Sequence, residues 1–203
     1  PFHDLTAIIK KDWIVRFCNG ILDRGLDVVW QFPSGTRCEV IDDEVADLLR
    51  RSGGRHLAFA PESGSEETRK LIKKKMTTEG LMNAVDASCG QGLNITLFIV
   101  IGFPHDRPEH LGDTVRMARR AAAKGVDDVA IGFFFPIPNT QLYDELLERG
   151  RLELNDEFLL TPVFANDERL REENNYCDHL SARRLTQWKY WILLNFHAVS
   201  VLT

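Results

Sequence analysis

Apolar residues along the chain follow two spacings in turn. In "KKDWIVRFCNGILDRG", Trp13, Ile14, Phe17, Ile21 and Leu22 recur at helical spacing, and Gly25 closes the run. The continuous apolar run "LDVVWQF" then predicts a buried strand. The pair of patterns repeats along the chain. "IDDEVADLLRRSGG" reads as a helix opened by Asp42, with Val45, Leu48 and Leu49 inward, and "RHLAFAP" as a strand. "SEETRKLIKKK" and "TTEGLMNAVDASCGQGL" read as helices, the second capped by Thr77 or Thr78, and "NITLFIVIGFP" as a long strand. "RPEHLGDTVRMARRAAAKG" is a helix with Pro108 in its first turn, "VDDVAIGFFFPIP" a strand, and "NTQLYDELLERG" a helix. Ahead of all these, Phe2-His3-Asp4 reads as the tail of a strand.

Unbroken apolar strands alternating with amphipathic helices predict a parallel sheet covered by helices. The expected fold class is therefore α/β: right-handed crossovers curl the sheet into a partial (βα) barrel with outer helices. No Gly-x-Gly-x-x-Gly follows a strand, so the dinucleotide fingerprint is missing. Residues 1–150 form this barrel core. Beyond about residue 152 the alternation stops, and 151–203 is expected to be mostly loop. A final helix begins near Ser181 and carries Leu185, Trp188, Trp191, Ile192 and Leu193 as an appendage on the same domain.

Composition narrows the function. A length of 203 residues suits one sizeable domain, and a net charge of −5 argues against a nucleic-acid surface. Lys70, Lys73, Lys74 and Lys75 read as the polar face of one helix. Cys18, Cys38, Cys89 and Cys177 are too far apart for a zinc pair or a redox Cys-x-x-Cys, so no metal site is expected, and they read as small apolar side chains of a cytoplasmic protein. The apolar "YWILLNFHAVSVL" is too short to span a bilayer and is interrupted by Asn195 and His197.

Ligands of parallel α/β folds sit at the carboxyl ends of the strands. Those ends carry Asp4; Ser34 and Arg37; Glu62, Ser63, Gly64 and Ser65; Ile101, Gly102 and His105; and Phe134, Phe135 and Pro136. Each has an ordinary alternative. Asp4 can cap or turn, Arg37 can pair with Glu39 or Asp42, and Glu62 can cap the helix that follows it. Gly102 can merely turn the chain. Taken together, an acid, small hydroxyls, a glycine gap and strand-end backbone suit a nucleoside-like ligand: a carboxylate accepts two bonds from a ribose diol, and free backbone groups read an adenine edge.

The stretches "VIDDEVADLLRRSGGRHLAFAPESGSEETRKLIKKKMT", "LFIVIGFPHDRPEHLGDTVRMA" and "FFFPIPNTQLYDELLERG" together resemble the core of a radical S-adenosylmethionine (radical SAM) enzyme. The likeness is strongest to the cobalamin-associated branch, the anaerobic magnesium-protoporphyrin ester cyclases and related methyltransferases. It spans about residues 2–150. What it implies is S-adenosylmethionine cleaved by an electron from a [4Fe-4S] cluster to a radical that takes hydrogen from a small-molecule substrate. By the same likeness Asp4 lies near the methionyl amino group, Arg37 near its carboxylate, and Glu62 with Ser63 at the ribose. Ile101 and Gly102 then flank adenine, and the backbone of Phe134, Phe135 and Pro136 meets its edge.

The chain departs from that family in one respect. Three thiolates in a Cys-x-x-x-Cys-x-x-Cys loop hold the family's cluster, and no such triplet occurs here. The first residues, without a methionine, suggest a piece of a longer chain whose cysteine loop lies upstream; loss of the cluster is the alternative. In either case the chain as given is expected to bind no cluster and to be inactive alone. Two other functions stay open: a non-catalytic barrel remnant that binds a nucleoside or a protein, and an ordinary (βα) barrel enzyme using Asp4, Glu62 and His105 for proton transfer. No Asp-x-His-x-x-Gly speaks for cobalamin within the chain. No membrane and no nucleic-acid partner is expected, and self-association through an unpaired sheet edge near Phe2 is.

Overall fold

The computed structural model describes residues 1–3, 6, 8–164 and 169–202. Four parallel strands lie side by side in chain order: β1 (Trp30–Thr36), β2 (Gly54–Glu62), β3 (Asn94–Ile101) and β4 (Asp128–Phe133). Sequential order with every neighbour parallel is the arrangement of a (βα) barrel; the doubly wound fold reverses direction partway. The helices are α1 (Lys11–Asp23), α2 (Asp43–Arg51), α3 (Glu66–Leu71), α4 (Thr78–Gly90), α5 (Pro108–Ala123), α6 (Gln141–Glu148), α7 (Asp156–Phe164) and α8 (Ala182–Ser200).

The strand alternation decides which face is the core. Ile95, Leu97, Ile99 and Ile101 of β3 are at most 1% exposed, while Thr96, Phe98 and Val100 between them are half-buried. In β4, Val129 and Ile131 are buried and Ala130 and Gly132 are exposed. One face of the sheet therefore packs on helices, and the other is partly open. Leu185, Ile192 and Phe196 of α8, all fully buried, join the same core, with α8 running along α5.

Four segments differ from the sequence expectation. The first strand begins at Trp30, not at Leu26. Gly53, at φ +97°, lets the Val28 carbonyl come to 1.9 Å from where a Cβ would stand, so residues 26–29 cross over that turn instead of pairing. Trp30 then anchors the strand, its indole N–H donating to the Ser52 carbonyl at 2.9 Å. Helix α3 stops at Leu71, and Lys73 takes φ +58°, so of the four lysines only Lys70 lies on that helix. Part of the expected loop is α7, where the Asn155 carboxamide accepts from the Phe158 N–H at 2.9 Å and Phe158 buries its ring beside Tyr143. Residues 1–3 form no strand, although the Phe2 N–H donates to the Gln31 carbonyl of β1 at 2.9 Å.

Candidate functional site

At the exit of β2, Glu62 adopts φ +62°, a left-handed conformation that costs a non-glycine residue about 1 kcal/mol or more. Three interactions hold the turn in that shape. The Ser63 N–H donates to the Pro61 carbonyl at 2.8 Å, and the Ser63 hydroxyl accepts from the Ser65 N–H at 3.1 Å. The buried guanidinium of Arg69 donates to the Ser63 carbonyl at 2.6 Å and to the Thr78 hydroxyl at 2.7 Å. The helix cap is Ser65, whose hydroxyl accepts from the Thr68 N–H at 3.2 Å. Glu62 is thereby released from capping. Its half-buried carboxylate instead accepts from the Lys74 ammonium at 3.1 Å. Gly64 seats the turn on α5, its N–H donating to the Thr114 hydroxyl at 3.0 Å.

The exit of β3 is organised by a residue that sequence reasoning passed over. Asp106, 1% exposed, accepts from the N–H groups of Gly102 at 2.9 Å and Phe103 at 3.1 Å, and from the Thr68 hydroxyl at 3.2 Å. Burial pushes its carboxyl above the ordinary carboxylate range, and those three hydrogen bonds oppose the rise. Gly102 turns at φ +89°, and the space its missing Cβ leaves is filled by Leu185. The Ile101 side chain is wholly in the core, and its carbonyl accepts from the Phe134 N–H at 2.8 Å, which joins the exits of β3 and β4.

Beyond that bond, the Phe135 N–H has no hydrogen-bond partner among the described residues. The Phe134 ring lies 4.9 Å from that of Phe103, Phe135 stacks on Phe158 at 4.8 Å, and Pro136 is buried. Between these aromatics and the exit of α3 is a cavity of about 310 Å³, lined by Leu71, Ile72, Lys73, Phe103, Phe134 and Phe135. Lys73 of that wall precedes Lys74 in the chain.

Glu62 thus stands at the exit of β2, Gly102 at that of β3, and Phe134 and Phe135 at that of β4, where the two rings line the cavity. Ser63 follows Glu62, with its hydroxyl committed to the turn. Arg37, at the exit of β1, is exposed and has no side-chain partner among the described residues. Asp4 lies outside the described residues. Lys74, Thr68 and Asp106 are the residues the sequence reading did not place here. His105 stacks on Phe103, and burial holds its imidazole below the usual value.

The strand exits offer a carboxylate at Glu62, an aromatic cavity and a backbone N–H at Phe135. The thiols do not fit a cluster. Cys18 is buried in α1, Cys38 in a 3₁₀ turn after β1 and Cys177 ahead of α8, while Cys89 lies on α4. Among the described residues no three metal-ligating side chains converge. Burial pushes the Cys38 thiol up to about 12 and the Cys89 thiol up to about 11, the opposite of what a metal thiolate needs.

The fold is a parallel (βα) partial barrel, and the radical SAM superfamily model matches residues 24–118. The resemblance read in the sequence therefore holds, and the relatives found include both groups it pointed to. The anaerobic magnesium-protoporphyrin IX monomethyl ester cyclase of Rubrivivax gelatinosus is 22% identical over 165 residues, covering 81% of this chain and 29% of that protein. The cytidylyl-2-hydroxyethylphosphonate methyltransferase of Streptomyces wedmorensis is 27% identical over 125 residues, covering 60% of this chain and 23% of that protein. The apo structure of OxsB, a cobalamin-dependent S-adenosylmethionine radical enzyme, aligns with a TM-score of 0.52 at 14% identity, covering 92% of this chain and 32% of that one, a likeness of fold alone. The chain spans under a third of the length of the curated relatives it matches. No helix among the described residues is long and apolar enough to cross a membrane.

Proposed function

We propose that this chain is the S-adenosylmethionine-binding part of a radical SAM enzyme of the oxidoreductase or methyltransferase type. One observation carries the reading: hydrogen bonds tie the exits of β2, β3 and β4 together, and Phe103, Phe134 and Phe135 at the β3 and β4 exits line an aromatic cavity. In that role Glu62 accepts the ribose hydroxyls. Phe103, Phe134 and Phe135 wall the adenine and exclude water, and the free Phe135 N–H reads its edge. Lys74 and Arg37 supply cations for the methionyl carboxylate, and Asp4 belongs near its amino group. Bound S-adenosylmethionine supplies a sulfonium bond open to one-electron cleavage. The electron donor is a [4Fe-4S] cluster held by residues other than this chain's thiols, and cobalamin, where it takes part, is held elsewhere too. The scattered thiols, three of them buried, favour a second reading for the chain taken alone: a binding shell without turnover.

Calorimetric titration with S-adenosylhomocysteine tests the first reading. The wild type should bind, and Glu62→Ala should weaken binding by about 1–3 kcal/mol, the scale of a hydrogen bond to a charged group. Equal affinity in the two proteins would sink it. An iron assay after anaerobic reconstitution tests the second, with stoichiometric iron as the refuting result.

A further inference from the structure

Asp106 has no surface from which to meet a ligand, yet it touches both halves of the rim. One oxygen, Oδ2, closes the β3 exit loop by accepting from Gly102 and Phe103. The other, Oδ1, accepts from Thr68 on α3, the helix that begins four residues after Glu62. The loop is closed a second time by the Asp106 N–H donating to the Phe103 carbonyl at 2.9 Å. A third segment is fastened at the same residue, since the Cys177 thiol donates to the Asp106 carbonyl at 3.3 Å. His110 Nδ1 stands 3.8 Å from Oδ1, and its ring is otherwise turned toward Glu67. A single buried carboxylate therefore fixes the spacing between the turn that carries Glu62 and the backbone that leads to the Phe103 wall of the cavity.

We propose that Asp106 is a positioning residue for the adenosyl site, acting through Thr68 and the Gly102–Phe103 backbone to hold the sugar side and the base side of the rim in register; this rests on the nucleoside reading above. The chemistry requires a carboxylate because two backbone donors and a hydroxyl donor converge on it, more than a single neutral acceptor oxygen can satisfy. An asparagine keeps one oxygen for the two N–H groups and can turn its amide toward the Thr68 oxygen, so it should restore part of the function. An alanine leaves three buried polar groups without partners.

The test uses the intact chain with S-adenosylhomocysteine as probe, measuring affinity, melting temperature and amide exchange together. Thr68→Val removes the bridge and leaves the loop closed. It should fold, weaken affinity by roughly tenfold, and speed exchange in peptides over 62–68 more than in those over 99–107. Asp106→Ala should lose at least as much affinity and speed exchange in both, and Asp106→Asn should recover part of each. In a Glu62→Ala background the Thr68→Val penalty should shrink to about twofold, because the position it holds is no longer used. If Thr68→Val lowers the melting temperature and leaves affinity unchanged, or if its penalty persists in full beside Glu62→Ala, Asp106 is merely structural and the nucleoside reading stands. A wild type that does not bind the probe overturns both.

Discussion

At the scale of single residues, the rim depends on what is missing as much as on what is present. A Cβ on Gly64 would lie 2.4 Å from the Thr114 Cα and 2.6 Å from the Asp113 carbonyl oxygen, backbone that cannot rotate away. Gly64→Ala must therefore push α5 off the turn that positions Glu62. Overpacking of this kind costs about 1–3 kcal/mol, and the obstacle is stiffer than a side chain. Thermal unfolding should show a clear loss for Gly64→Ala, with weakened probe binding. Gly90→Ala, at the end of α4 with nothing within 4 Å, should be neutral or slightly stabilising. Equal melting temperatures for the two variants would refute the packing argument. Glu62 and Gly64 were legible in the sequence because an acid and a glycine just after an apolar strand are local signals. Lys74 and Asp106 were not, since each matters through a partner distant in the chain, 12 residues for Lys74–Glu62 and 38 for Asp106–Thr68. The "KKK" run reads as a helix face until Lys73 is seen to break the helix.

Elements were read most reliably where the hydrophobic period was long and unbroken. β3, α4 and α5 lie within "NITLFIVIGFP", "TTEGLMNAVDASCGQGL" and the Pro108-led helix that predicted them, because their buried residues follow the pattern directly. Boundaries set by tertiary contact were illegible: β1 starts where Trp30 finds the Ser52 carbonyl, and α3 ends for a backbone reason. The segment after β4 gained a helix the pattern did not announce, and its attachment has a pH signature. Asp178, ahead of α8, accepts from Arg149 at 2.9 Å and from Arg151 at 2.6 Å, both beyond the end of α6. Burial, the largest influence, works to raise the Asp178 carboxyl, but the hydrogen bonds from the two arginines outweigh it and hold it below the usual range. A depressed folded value means the contribution is present above the unfolded value, about 4, and is lost as pH falls through the folded one. Asp178→Asn should lower the melting temperature by a constant gap between about pH 5 and 7, and the gap should close below about pH 4. A gap that survives acidification would mean the link works through packing and not charge.

At the scale of the whole molecule, the sheet has two outer edges with very different cover. Along β1, the Phe2 N–H donates to the Gln31 carbonyl, and the Phe2 ring packs edge-on against Phe17 at 5.8 Å and Trp30 at 6.2 Å, so this edge is occupied near its start. Along β4 no further strand pairs among the described residues, and Ala130 and Gly132 are exposed. An outer strand has unpaired backbone groups that are a template for another strand, and β4 has no proline and a charge only at its first residue, Asp128. The half-open sheet face adds Phe98 and Val100 to the same side of β3. The sequence reading placed the sticky edge near Phe2; cover by the first residues moves the weight of that proposal to β4. Light scattering should therefore report a mass that rises with concentration. Ala130→Lys should shift the chain toward monomer, because a charge beside the edge must be desolvated on pairing. Probe binding should be unchanged by that substitution, since Ala130 lies three residues before the strand exit. A wild type that remains monomeric at high concentration would show that the β4 edge is not adhesive. Association unaltered by Ala130→Lys would send the contact to another surface, the exposed Tyr190, Trp191 and Leu194 of α8 being the next to substitute.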